Sequence, residues 1–276
     1  MIEPVALLKD LVRINTTNPP GEEEKLLLYL ERILQEHRIP YVYQKSAKGR
    51  GNLLAWQLAD QAEEAPLILM SHTDVVAAQA SQWKFPPFEA QEVDGYIYGR
   101  GTVDTKQLTA MELTAFLALK EKEIPLKRDV YFLATSDEES GSAYGLQWFL
   151  DHEITVGETT KTGRELFRGS DVISEGGGFP VVGGKREFYL CESGQKSCGT
   201  VEFTVKAKSA KGAFFTSGDG MERAMGLAED IGKQKLDGRV LDTVKQFEQK
   251  LAGVQLSPMM QKILTAMKQN SMTVTM

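Results

Sequence analysis

The sequence predicts an α/β protein in which a mostly parallel sheet is flanked by helices. Helical and strand patterns alternate over residues 1–187, as they do in proteins built from strand–helix–strand units. The run LILM at 67–70 is apolar throughout, which is typical of a strand covered on both faces. From residue 188 onward the pattern changes to a strand pair followed by helices. This change predicts a smaller α+β domain over 188–276.

Two amphipathic helices are predicted at the start of the chain. The first is indicated by an apolar face made of Leu7, Leu8, Leu11 and Val12. The residues NPPG at 18–21 then interrupt the helical pattern. Glutamates at 22–24 favour the start of the second helix, because negative charge complements the helix dipole there. The buried stripe of this helix consists of Leu26, Leu27, Leu30, Ile33 and Leu34.

Five strands and one long helix complete the first domain. The strands are predicted at 41–44, 52–57, 67–70, 130–135 and 172–174. Between the third and fourth strands, residues 104–122 predict a helix with an apolar side at Leu108, Met111, Ala115 and Leu119.

The second domain begins with a predicted antiparallel strand pair. Its strands would lie at 187–192 and 199–206, joined by a turn that contains Gly194. Three helices are predicted to follow, at 221–233, 241–251 and 258–268. The last five residues, 272–276, predict the start of a further strand.

Composition excludes several classes of protein. The chain has 276 residues and 42% hydrophobic content, which is enough for a folded core. Its 32 Lys and Arg face 38 Asp and Glu, so the net charge is −6. Nucleic-acid affinity depends on clustered cations, so no nucleic-acid partner is expected.

The expected location is the cytoplasm, with no membrane partner. No apolar run reaches the roughly 18 to 20 residues that a membrane span needs, and residues 1–4 lack a signal-peptide pattern. Cys191 and Cys198 are too few for a disulfide framework or for a zinc site of about four ligands. We expect both to stay thiols.

Acidic side chains and one imidazole are predicted to converge at one edge of the sheet. Three short segments follow predicted strands directly, and the carboxyl ends of parallel strands line the edge where ligands bind. A fourth segment is the turn at 99–106, where Gly99 and Gly101 permit a tight backbone path into the long helix. The candidate residues on these four segments are His72, Asp74, Asp104, Glu138, Glu139 and Glu175.

A divalent metal would stabilise such a cluster. Carboxylates a few ångströms apart raise one another's pKa unless a cation lies between them. Mixed nitrogen and oxygen ligands suit Zn²⁺, with Mn²⁺ or Co²⁺ as alternatives. Two metals would make Asp104 a bridging carboxylate between ions roughly 3.5 to 4 Å apart.

Each candidate receives a role. His72 would bind the metal through one ring nitrogen, and Asp74 would accept the other N–H and fix the tautomer. Only one of the adjacent glutamates can easily point at the metal, so Glu139 is assigned as ligand and Glu138 as general base. Glu175 would complete the shell of the ion that His72 holds. Each segment alone is more often an ordinary turn, a solvated loop or a hydrogen-bonded pair, but their joint occurrence favours a site.

These segments resemble the motif series of a known family. They are MSHTDVV at 70–76, GRGTVDTK at 99–106, SDEESG at 136–141 and SEGG at 174–177. The series resembles that of the co-catalytic zinc peptidases and deacylases, which include glutamate carboxypeptidase, acetylornithine deacetylase, succinyl-diaminopimelate desuccinylase, aminoacylase and several dipeptidases.

The resemblance implies a zinc-dependent hydrolase. It implies that a metal-activated water attacks an amide bond of a small peptide or N-acyl amino acid, with two Zn²⁺ ions and Glu138 as proton shuttle. It also implies that 1–187 is the catalytic domain and that 188–276 is an incomplete α+β lid domain, through which such proteins often form homodimers.

Two departures from the family pattern change the expectation. The family's second metal takes its last ligand from a histidine near the C-terminus, and this sequence ends before such a segment. Of the other histidines, His37 lies on an amphipathic helix and His152 lies a helical stretch away from Glu139, so neither can substitute. The stretch at 211–217 also lacks the histidine usual in the family's lid.

The sequence therefore predicts a catalytic fold with one complete metal site. The first site, with His72, Asp104 and Glu175, is expected to form, whereas the second, with Asp104 and Glu139, would bind weakly. Turnover would then be low or absent. The alternative is a non-catalytic remnant of the same fold that retains at most one metal. A nucleotide-binding domain is disfavoured, because 99–101 is not the start of a G-x-G-x-x-G fingerprint.

Overall fold

A computed structural model of the chain shows two compact units, Met1–Glu175 and Gly176–Met276. The division between these two units falls after Glu175, and the boundary at residue 187 between a catalytic and a lid domain stays a prediction. The structure describes residues 2–178, 180–183, 186–189, 192, 201–206, 220–234, 236 and 238–270.

The first unit contains five helices and nine strands within its described residues. The helices are α1 (Pro4–Arg13), α2 (Glu24–Glu36), α3 (Lys106–Glu121), α4 (Leu146–Asp151) and α5 (Gly163–Leu166). The strands are β1 (Tyr41–Ala47), β2 (Arg50–Gln57), β3 (Leu67–His72), β4 (Gln91–Val93), β5 (Tyr96–Tyr98), β6 (Val130–Thr135), β7 (Glu153–Val156), β8 (Thr159–Thr162) and β9 (Asp171–Ile173). Short 3₁₀ turns lie at Ala80–Gln82 and Glu138–Ser140.

The central sheet has the strand order β1-β2-β6-β3-β9. β3 pairs in parallel with both β6 and β9, whereas β2 pairs antiparallel with both β1 and β6. Four of the five strands therefore run in one direction and only β2 runs against them. The prediction of an α/β fold with a mostly parallel sheet is confirmed, with β2 as the exception.

Both faces of this sheet are covered, which explains why β6 is buried throughout and β2 is buried at every residue but its last. Alternate residues of β2 and β6 point to opposite faces: Leu53 and Phe132 join the core beneath α1, α2 and α3. Leu54 and Leu133 join a second core with Phe149 of α4. The pairs β4–β5 and β7–β8 form small separate hairpins that the sequence patterns did not predict.

The second unit has one strand pair and three helices among its described residues. The helices α6 (Gly220–Gly232), α7 (Asp242–Lys250) and α8 (Pro258–Met267) lie close to their predicted positions. The predicted strand pair is wrong, because β11 (Arg186–Tyr189) pairs with β10 (Pro180–Gly183) rather than with 199–206. Residues 201–206 form no strand.

Some predictions fall on residues that the structure does not describe. These are the strand at 272–276, the stretch at 211–217, and Cys191 and Cys198. Within the described part of the chain, no helix combines the length and the apolar character that crossing a bilayer requires.

Candidate metal centre

The carboxyl ends of β3, β6 and β9 lie side by side, as the sequence predicts. His72 is the last residue of β3 and pairs with Thr135, the last residue of β6. The turn Glu138–Ser140 follows β6, Glu175 follows β9, and Asp104 precedes α3. The four predicted segments therefore meet at one edge of the sheet.

Three predicted ligands come together around the imidazole. The distance from His72 Nε2 is 3.1 Å both to Asp104 Oδ1 and to Glu175 Oε2. One ligand atom from each of these residues lies within 4.8 Å of the other two. The His72 side chain is 3% exposed, whereas the Asp104 side chain is 54% exposed. The imidazole is thus buried, whereas the carboxylates of Asp104 and Glu175 reach solvent.

The charges around His72 favour a cation at this position. Burial lowers the pKa of His72, but hydrogen bonds with Asp74 and Glu175 outweigh it and raise the pKa to about 11. Burial and neighbouring carboxylates raise the pKa of Glu138 and of Glu139. An acidic cluster of this kind is stabilised either by a proton on the imidazole or by a bound cation.

The donor set fits a divalent metal. His72 Nδ1 faces only acceptors, the Asp74 carbonyl oxygen at 3.0 Å and Asp74 Oδ1 at 3.4 Å. Nε2 also faces only acceptors, Asp104 Oδ1 and Glu175 Oε2, so a divalent cation held between these three atoms would replace the proton on Nε2 while Nδ1–H stays donated to Asp74. One imidazole nitrogen with carboxylate oxygens is a ligand set that zinc and its neighbours in the first transition row accept.

Asp74 organises more of the site than the sequence predicts. Besides facing His72, its carboxylate accepts the backbone N–H of Glu138 at 3.0 Å and that of Glu139 at 3.1 Å. Asn18 Nδ2 donates to the same carboxylate at 2.8 Å. Burial alone would raise the pKa of Asp74, but the hydrogen bonds from His72 and Asn18 hold it below its usual range. Asp74 therefore fixes both the imidazole and the turn that carries the two glutamates.

The two adjacent glutamates differ in position. Glu138 Oε2 lies 3.9 Å from His72 Nε2. Glu139 is not part of the three-residue ligand group, although the charge of Asp104 acts on its pKa. The assignment of Glu139 as a ligand therefore stays a prediction.

The other two histidines are held elsewhere, as expected. His37 Nε2 lies 3.2 Å from Glu121 Oε1 at the end of α2. The His152 ring stacks on Trp148 with a centroid separation of 3.7 Å.

The turn that carries Asp104 is held in place by hydrogen bonds between Lys106 and the end of α1. Gly101 has a φ of +90°, a conformation that favours glycine. The buried Lys106 side chain donates from Nζ to the carbonyl oxygens of Leu11 at 3.0 Å and Ile14 at 2.7 Å. Burial lowers the pKa of Lys106 to about 7. The start of α3 is thereby tied to the end of α1, next to Asp104.

Sequence reasoning missed a buried polar network behind the site. Arg50 Nη1 is paired with Asp137 and lies 3.4 Å from Glu23 Oε1, while Arg50 Nη2 donates to Asn18 Oδ1 at 2.7 Å. The side chains of Arg50, Asp137 and Glu23 are at most 9% exposed. The sequence signals this network only weakly: its charged and amide residues lie beside predicted turns, and such residues are ordinarily on the surface.

The sequence is similar to those of several known proteins. A sequence model of the peptidase family M20/M25/M40 matches residues 68–267. A probable succinyl-diaminopimelate desuccinylase of Staphylococcus epidermidis is 34% identical over 149 residues, which cover 53% of this chain and 35% of that protein. An uncharacterized metallohydrolase of Methanocaldococcus jannaschii is 29% identical over 227 residues, which cover 76% of this chain and 51% of that protein.

A solved structure is also similar. The M20 family metallo-carboxypeptidase of Sulfolobus solfataricus aligns with a TM-score of 0.46 and 28% identity, over 51% of this chain and 32% of that one. The matched part of the chain spans between about a third and about a half of the length of the curated relatives named above.

Proposed function

The chain belongs to the peptidase family M20/M25/M40, and we propose that it hydrolyses an amide bond in a small peptide or an N-acyl amino acid with the help of a divalent metal. The observation that carries the proposal is the convergence of His72, Asp104 and Glu175 on one point at the edge of the sheet. The desuccinylase and metallohydrolase names of the relatives support this reaction class.

His72, Asp104 and Glu175 would hold the metal, which we propose to be Zn²⁺, with Mn²⁺ or Co²⁺ as substitutes. The chemistry that such an ion supplies is Lewis acidity, which makes water a better nucleophile at neutral pH. A second ion would need Asp104 as a bridge and Glu139 as a further ligand. The charge of Asp104 already acts on Glu139, which supports their closeness.

Glu138 is the proposed general base. Its carboxylate lies 3.9 Å from His72 Nε2 and is 53% exposed, so it borders the space that a substrate would enter. Burial and the neighbouring charges of Glu175 and Asp74 raise its pKa, which brings it closer to the operating pH. Glu138 would accept a proton from the attacking water and deliver it to the leaving amine, while Asp74 keeps the turn at 138–140 in place.

A second candidate is a non-catalytic member of the fold that retains at most one metal. The observation that favours it is that the described residues contain a single group of three potential ligands. The two candidates differ in whether the Glu138 carboxylate takes part in catalysis.

The test uses the full chain with Zn²⁺, Mn²⁺ or Co²⁺ and a panel of N-succinyl amino acids, N-acetyl amino acids and dipeptides. Glu138→Gln should keep the metal, measured by mass spectrometry, and should lower turnover by about 10²- to 10⁴-fold. His72→Ala should lose the metal. Glu158→Gln is the control, since Glu158 is an exposed residue between β7 and β8.

The outcomes separate the candidates. A wild-type chain that binds no divalent ion would refute the metal-dependent hydrolase. A chain that binds one ion, but whose background turnover is unchanged by Glu138→Gln, would support the non-catalytic candidate.

Three further predictions concern partners and location. A homodimer formed through 188–276, a cytoplasmic location and the absence of a nucleic-acid partner stay predictions. The net charge of −6 supports the last of these.

A further inference from the structure

Asn18 is held firmly beside the segment that follows β3. Its backbone N–H donates to the Val75 carbonyl oxygen at 2.8 Å, and Thr16 Oγ1 donates to the Thr73 carbonyl oxygen at 2.6 Å. Asn18 is 4% exposed. The backbone at 16–18 therefore fixes where the Asn18 side chain begins, directly behind the metal centre.

Every polar atom of the Asn18 amide is in use, and its orientation is determined by its neighbours. Nδ2 donates to Asp74 Oδ2 at 2.8 Å and to Asp137 Oδ1 at 3.0 Å. Oδ1 accepts from Arg50 Nη2 at 2.7 Å. Because a guanidinium can only donate and a carboxylate can only accept, the reversed amide would break all of these hydrogen bonds.

Arg50 fixes the orientation of the Asn18 amide from the side opposite Asp74. Its guanidinium is fixed by Asp137, by the Pro20 carbonyl oxygen at 2.7 Å and by the face of the Tyr144 ring at 5.4 Å. Arg50 also supplies the positive charge that a buried group of carboxylates needs.

Asp74 lies between this network and the catalytic edge. Its Oδ2 accepts from Asn18 and from the N–H of Glu139, whereas its Oδ1 accepts from the N–H of Glu138 and lies 3.4 Å from His72 Nδ1. The χ2 torsion of an aspartate, which rotates the carboxylate group about the Cβ–Cγ bond, has broad, shallow minima. Asp74 therefore needs a fixed hydrogen-bond donor to hold its carboxylate in one orientation.

We propose that Asn18, locked by Arg50, is a positioning residue that fixes the Asp74 carboxylate and thereby aims His72 and the Glu138–Glu139 backbone at the metal position. The inference rests on the proposed function, because it assumes that a metal binds at His72. Partners of this kind typically change metal affinity by about tenfold to a hundredfold when they are removed.

The experiment compares three variants of the full chain. Asn18→Ala removes the amide. Asn18→Asp keeps its shape and its acceptor for Arg50 but replaces the donor to Asp74 with an acceptor. Asn15→Ala is the matched control from the same loop, since Asn15 is exposed and, among the residues that the structure describes, its side chain accepts hydrogen bonds from Thr17 alone.

Two readouts are measured. In the metal-free protein, the ¹H–¹⁵N chemical shifts of the Glu138 and Glu139 amides report their hydrogen bonds to Asp74. In the presence of Co²⁺, calorimetric titration gives the affinity and the visible spectrum reports the ligand geometry. Both Asn18 variants should move the two amide signals, weaken Co²⁺ binding by about tenfold or more and alter the Co²⁺ spectrum, whereas Asn15→Ala should change none of these.

The outcomes distinguish this inference from the proposed function. Folded Asn18 variants with wild-type amide shifts and wild-type Co²⁺ affinity would overturn the positioning role, even if their melting temperatures fell. If the wild-type chain binds no Co²⁺, the proposed function fails and the inference about the metal fails with it. Should Asn18→Ala not fold, the same readouts on Asn18→Asp decide the question.

Discussion

Glu112 offers a test of the packing directly behind the metal centre. It lies on α3 with its carboxyl group near Ser71 and the Met70 backbone, and it is 4% exposed. Burial raises the pKa of Glu112 from 4.5 to about 8. Ser71 and the Met70 backbone oppose the shift, but neither makes a hydrogen bond of normal geometry with the carboxyl group. Glu112 is therefore protonated in the folded chain at neutral pH.

The size of the effect follows from proton linkage. A raised pKa in the folded state gives stability that is fully present below 4.5 and is lost as the pH rises to about 8. Each pKa unit corresponds to about 1.4 kcal/mol, so the free energy of unfolding should fall by about 4 kcal/mol between pH 5 and pH 8 because of this one group. Glu112→Gln keeps the shape of the neutral side chain and removes the titration.

Urea unfolding at pH 5, 6.5 and 8 measures the difference. The Gln variant should match the wild-type chain near pH 5 and exceed its free energy of unfolding by several kcal/mol at pH 8. Glu158→Gln should follow the wild-type profile, because that side chain is exposed. Parallel profiles for wild type and Glu112→Gln would refute the assignment of a buried, protonated carboxyl group.

Two further predictions concern the backbone and the buried ion pairs. Arg50→Met should lower the free energy of unfolding, measured in urea, by about 3 to 5 kcal/mol, because it leaves the carboxylates of Glu23 and Asp137 buried without a cation. A loss below about 1 kcal/mol would contradict this reasoning. A Cβ at Gly145 would lie 1.7 Å from the Ser136 carbonyl oxygen, whereas nothing lies within 4 Å of a Cβ at Gly141. Thermal unfolding should therefore show a severe loss for Gly145→Ala and only about 1 to 2 kcal/mol for Gly141→Ala, so equal losses would count against the close approach.

The sequence predicted the framework of the first unit because apolar periodicity reflects burial directly. β3 lies where the run at 67–70 predicts it, and the stripe of α2 is buried as expected. Periodicity does not encode strand direction, so the reversal of β2 was not foreseen. Periodicity also does not indicate which strands pair with each other. β11 was identified as a strand but was predicted to pair with 199–206, although the Gly-Gly at 183–184 signals a turn between two strands.

The convergence of His72, Asp104 and Glu175 was predictable because strand ends are visible in the sequence. His72 and Glu175 each follow an apolar run, and Asp104 precedes a periodic helix. The network behind them was not predictable, since burial of a polar residue depends on contacts between distant segments. Glu23 was interpreted only as a charge at a helix N-terminus, yet it is fully buried and burial raises its pKa to about 7.

The direction of β2 decides which side chain lies beside the candidate metal centre. Because Leu53 pairs with Ala134 and Gln57 pairs with Val130, the amino end of β2 lies at the edge where the other four strands have their carboxyl ends. Arg50, the first residue of β2, therefore lies at this edge of the sheet, beside Asp137. A one-residue slip of β2 would turn every side chain of the strand to the opposite face and withdraw this guanidinium. A single residue inserted in β2 between Arg50 and Leu53 should therefore disable a centre to which it contributes no ligand.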